Sequence, residues 1–138
     1  MSESANKALI QRWFEEVWNQ GRESTIDELF HPQGKVHGFP EPDSILIGPP
    51  GFKEVHRLFH TIYGDIHVQL DELIAEGDSV AARWTTTAKH TGPGLGFPAT
   101  GKTITLAGSS FTTCRIGQIT EAWNYMDLTK TTLDLQKK

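Results

Sequence analysis

The side chains that could carry chemistry here are a few imidazoles, one thiol and one amide in an alternating strand. His90 closes the run Val80, Ala82, Trp84, Thr86, Ala88, His90, the small and apolar side of an alternating stretch. Residues two apart in a strand share a face. That face therefore looks inward and carries His90 to the mouth of whatever it lines. A half-buried imidazole can take up and return a proton near neutral pH; a histidine bonded only for structure is the alternative. His37, in "KVHGF", can approach the same place from another direction. Asn124 sits in "ITEAWNYMD", where Ile119, Glu121, Trp123 and Tyr125 share one face and Thr120, Ala122, Asn124 and Met126 the other. Its amide can donate and accept hydrogen bonds but cannot carry a proton through a cycle.

Other groups read more plainly. His56 and His60 are one helical turn apart, a metal-binding spacing, but the only further ligand in view is His67, so solvated histidines and no metal are expected. Cys114 lies in an alternating strand and reads as a buried, inert thiol. "GFPATGKT" (96–103) satisfies the phosphate-loop pattern, yet the β-branched, alternating "TITLAGSSFTT" follows it. The motif needs a helix there, with backbone amides facing the phosphates. A loop joining two strands is the reading that fits.

These groups need elements to hold them. Leu9, Ile10, Trp13, Phe14, Val17 and Trp18 form a helical stripe that Gly21 ends. "STIDELF" reads as a short helix with Ser24 and Asp27 as its capping pair, and "GKVHGF" as a short strand. "PEPDSILIGPPG" reads as a loop, with Pro50 opening a helix that carries Phe52, Val55, Leu58, Phe59, Ile62 and Tyr63 on one side. Four alternating runs follow, joined in part by tight turns at "EGDS" and "RIGQ", and then a last helix, "LTKTTLDLQKK". Helices followed by a long antiparallel meander make an α+β fold, a curved sheet with helices on one face and a pocket between.

A chain of 138 residues, 37% hydrophobic and 22% charged, predicts one domain over 1–138. The net charge of −4 and thirteen scattered Lys and Arg give no reason to expect nucleic acid or an anionic membrane. The start lacks a leader pattern, no apolar run spans a bilayer, and a single cysteine suits a reducing cytoplasm.

Taken in order, "NKALIQRWFEEVWNQG", "IDELFHPQGKVHG", "PPGFKEVHRLF", "LIAEGDSVAARWTTTAKHTG", "GFPATGK" and "RIGQITEAWNYMD" resemble the SnoaL-like polyketide cyclase family of the nuclear transport factor 2-like superfamily. The resemblance implies a cone-shaped curved antiparallel sheet wrapped around N-terminal helices, enclosing a hydrophobic pocket. It also implies intramolecular aldol closure with no metal or cofactor, since the substrate's own carbonyls delocalise the enolate. The family's acid/base group is an aspartate directly after the tryptophan of the last strand, accompanied by a histidine that matches His90. His37 matches a histidine common at the first strand. Here the position after Trp123 is Asn124. Glu121 falls on the opposite strand face, Asp127 at the strand's end, and the pattern leaves the facing of Glu72 open.

Three readings follow. An enzyme would use His90 or His37 as base, with Asn124 holding a developing oxyanion. A non-catalytic pocket would orient a small hydrophobic ligand by Asn124 and the histidines, between walls of Trp13, Phe14, Phe59, Tyr63, Trp84 and Met126. A scaffold would use the domain for dimerisation alone. The resemblance implies a homodimer in each.

Overall fold

A computed structural model describes residues 2–137. Helix α1 (Glu3–Arg12) is capped by Ser2 Oγ, which accepts from Ala5 N–H at 3.0 Å. The helix then widens into a π-helical segment, Trp13–Asn19, before Gly21 ends it at φ +68°. Helix α2 (Glu23–Leu29) starts two residues too early for the expected capping pair. Arg22 precedes it with no side-chain cap, and Ser24 lies inside the first turn.

Strand β1 (Phe30–His37) is longer than "GKVHGF" suggests. A short strand β2 (Ile45–Ile47) forms within the stretch expected to be loop, because it pairs antiparallel with the end of β1. Helix α3 (Gly48–Ile62) has its prolines in the first turn, where a missing N–H is harmless. Strands β3 (Tyr63–Glu76), β4 (Ser79–His90), β5 (Thr103–Arg115) and β6 (Gln118–Met126) follow, then helix α4 (Leu128–Leu135). Tyr63 therefore opens β3 instead of closing the helix. Thr103, the end of the phosphate-loop pattern, opens a strand.

The sheet runs β2-β1-β6-β5-β4-β3 and is not closed into a barrel. It is antiparallel except where β1 lies parallel to β6. The expected all-antiparallel sheet is corrected at that one pair: the chain crosses the whole sheet before its last strand returns beside the first. One further correction concerns Ile119. Cys114 pairs with Ile119 and Thr113 with Glu121, so Thr120 is an extra residue in β6. That bulge switches the alternation, and Ile119 is buried, not outward. Ala122 is buried as expected.

The core packs Trp13, Val17, Ile26, Phe30 and Phe52 from the first half of the chain against Val80, Cys114, Ile119 and Ala122 of the sheet. No helix among the described residues is long and apolar enough to cross a membrane.

Candidate functional site

Between the helices and the inner face of the sheet lies a cavity of about 110 Å³. All six expected wall residues border it: Trp13, Phe14, Phe59, Tyr63, Trp84 and Met126. Trp18, Phe30, Phe39 and Phe52 add further rings. No Asp, Glu, Lys, Arg or His is among the lining residues. The polar side chains are those of Thr86, Ser110, Thr112, Asn124 and the Tyr63 phenol, besides the indole N–H groups. Burial raises the Tyr63 pKa, so its hydroxyl stays protonated.

Asn124 is wired into the sheet by a chain of hydrogen bonds whose direction follows from chemistry. An indole N–H can only donate. Trp84 Nε1 donates to Ser110 Oγ at 3.0 Å, so the Ser110 hydroxyl in turn donates its hydrogen bond to Asn124 Oδ1 at 2.6 Å. The amide is thereby oriented, and Nδ2 reaches the His37 carbonyl at 3.4 Å. Strand register builds this chain, since Ser110 pairs with Ala82 on one side and Asn124 on the other. Gly108 makes room for it, because a Cβ there would sit 2.5 Å from the Trp84 ring. One amide N–H of Asn124 has a protein acceptor; the second has none among the described residues.

His90 faces inward as expected but is not at the cavity mouth. It is fully buried, and its cross-strand partner Tyr63 takes the place on the cavity wall. Thr100 N–H donates to His90 Nδ1 at 3.1 Å, which puts the ring proton on Nε2 in the neutral form. Nε2 has no partner among the described residues, and the ring packs 6.0 Å from Tyr63 and 5.5 Å from Phe97. His37 does not approach the cavity either. It lies on the outer face, stacked on Trp123 with Nε2 2.6 Å from Glu121 Oε2. His90, His37 and Asn124 therefore do not converge. Glu72 is exposed beside Arg83.

The sequence pattern that defines the SnoaL-like polyketide cyclases matches residues 8–135. The chain belongs to that family. Among solved structures it resembles TsrD from Streptomyces laurentii, 25% identical over 99% of this chain and 98% of that one, with a TM-score of 0.83. It also resembles a candidate polyketide cyclase from Acidithiobacillus ferrooxidans, at 27% identity, 99% and 98% coverage and a TM-score of 0.81. A candidate SnoaL-like polyketide cyclase from Jannaschia sp. CCS1, 20% identical with 99% and 94% coverage, superposes with a TM-score of 0.88 and shares the fold. No curated protein sequence matches the chain.

Within this SnoaL-like frame the remaining groups have structural partners. His56 and His60 are not solvated. His56 Nε2 bonds the Val17 carbonyl at 2.7 Å, and His60 Nε2 lies 3.3 Å from that of Trp18. These carbonyls end the π-helical segment, where backbone acceptors run out of intrahelical donors. Burial lowers the His56 pKa and favours the neutral ring. The Cys114 thiol is pushed up to about 11, mainly by burial and further by Asp78, and is inert as a nucleophile. Ser110 is, with Thr112, a polar cavity residue that sequence reasoning missed. Its only signal was a position opposite Asn124 across a pairing that the sequence does not display.

Proposed function

We propose that this SnoaL-like chain holds a neutral, hydrophobic carbonyl compound of the polyketide kind, with the second N–H of Asn124 directed at a carbonyl oxygen. The observation that carries the reading is the charge-free aromatic cavity whose amide already has its oxygen engaged by Ser110. A charged ligand would lose its hydration there without a counter-charge. A carbonyl oxygen needs only a donor. The same donor would stabilise an enolate or aldolate oxygen as it develops, the part that preorganised amides play in cofactor-free aldol closure or isomerisation. With both histidines off the wall, binding and polarisation are favoured over histidine-run proton transfer. The outer row Ile74, Ala81, Phe111, Trp123, each directly opposite the next across the strands, supports a second copy as partner.

Calorimetry with acetophenone and its hydrocarbon counterpart ethylbenzene tests the reading. Wild type should prefer the ketone, and Asn124→Leu should erase that preference, lowering ketone affinity about three- to tenfold, the worth of one net hydrogen bond. Equal affinity of wild type for both compounds would refute it.

A further inference from the structure

The cavity by itself is small. An engineered cavity of about 150 Å³ takes one benzene, so about 110 Å³ holds roughly one ring. A second space of about 370 Å³ adjoins it, bordered by His37, Gly38, Pro42, Trp123, Asn124, Tyr125 and Met126. Asn124 and Met126 border both spaces.

The strand pairing shows what this second space is. β1 and β6 run paired as far as His37 opposite Trp123, and there β1 ends. Gly38 turns the chain away at φ +78°. Beyond that point Tyr125 and Met126 pair only with β5. Consecutive residues of a strand point to opposite faces, yet 123, 124, 125 and 126 all border the depression. A hollow on one face of a sheet would be bordered by alternate residues. This one lies along the free edge of β6, where residues of both faces border it.

We infer that the gap between the end of β1 and the edge of β6 is a window through the sheet, and that an elongated ligand of two or more rings occupies cavity and window together. One ring sits among the cavity aromatics with its oxygen at Asn124. The remainder lies between Pro42 and Tyr125, and Met126 is the movable partition, its unbranched thioether being able to change rotamer without leaving a fixed void. Joined, the two spaces fall within the roughly 300–1,000 Å³ of drug-sized sites. The inference rests on the reading that the cavity takes neutral carbonyl compounds, and it extends that reading from one ring to several.

Acetophenone, acetylnaphthalene and acetylanthracene carry the same carbonyl on one, two and three rings, and their dissociation constants separate the two claims. Affinity should rise along the series in wild type. Pro42→Trp, which fills the window from an exposed loop, and Tyr125→Ala, which removes its outer wall, should each lower the ratio of three-ring to one-ring affinity about tenfold. Binding of acetophenone with rejection of acetylanthracene overturns the window and leaves the cavity reading standing. An unchanged ratio in both variants also overturns it. Failure of all three ketones to bind removes both.

Discussion

At the scale of single residues, the cavity carries the Asn124 amide at the position where the resemblance implies an acid/base aspartate. Its surroundings explain why the two are not interchangeable. Ser110 donates to one terminal atom of residue 124, a contact that amide or carboxylate accepts equally. The other terminal atom lies 3.4 Å from the His37 carbonyl, where an N–H is welcome and an ionised oxygen is not. In Asn124→Asp the folded state therefore favours the protonated acid, and the carboxyl pKa rises above its unfolded value of about 3.9. A folded state that holds the extra proton loses stability as pH climbs through that value. The variant should match wild type at pH 4 and fall behind by about 1–3 kcal/mol at pH 7 in urea unfolding. Equal loss at both pH values would show that charge at this position is not the cause. The inward facing of Ala122, Asn124 and Met126 was legible because alternation reports facing directly. The burial of His90 was not, since it depends on the 91–102 loop folding back so that Thr100 N–H meets the ring.

At the scale of elements, local pattern and tertiary demand part company at three places. The helical stripe from Leu9 to Trp18 predicts a helix but not its widening to a π-helix, which has no periodicity distinct enough to read. Its cost is met from elsewhere in the chain, as His56 and His60 of α3 reach the carbonyls it leaves open. The bulge at Thr120 was likewise invisible, because it exists only against β5. Glycines divide in the same way. Gly38 and Gly51 look alike in the sequence, but a Cβ at Gly38 would lie 2.4 Å from the Asn124 carbonyl oxygen at a positive φ. One at Gly51, inside α3, would meet nothing within 4 Å. Gly38→Ala should destabilise by more than about 2 kcal/mol, while Gly51→Ala should stabilise by about 0.5–1 kcal/mol. Denaturant titration of the two variants checks both signs, and similar effects would contradict the account.

At the scale of the whole molecule, the sheet has one face filled and one face bare. The inner face is covered by the helices and cavity aromatics. On the outer face Phe111 is 51% exposed and Ile74 55% exposed, in the same cross-strand row as Ala81 and Trp123. Tyr125, also exposed, meets Phe111 edge-on with ring centroids 6.1 Å apart. A contiguous apolar band of this kind marks a contact surface more often than a bare one. In the proposed pairing with a second copy, a two-fold axis through the band would set each copy's row against its own image. A stable pairing of that sort covers about 800 Å² per partner. Symmetry also sharpens the test, since any substitution near the axis acts twice. Phe111→Arg would bring two guanidinium groups together across the axis, and juxtaposed like charges cost several kcal/mol. Wild type should therefore elute with the mass of two chains in light-scattering chromatography at micromolar concentration, and Phe111→Arg with the mass of one, its circular dichroism unchanged. A wild-type mass of one chain across that range would refute pairing through this face.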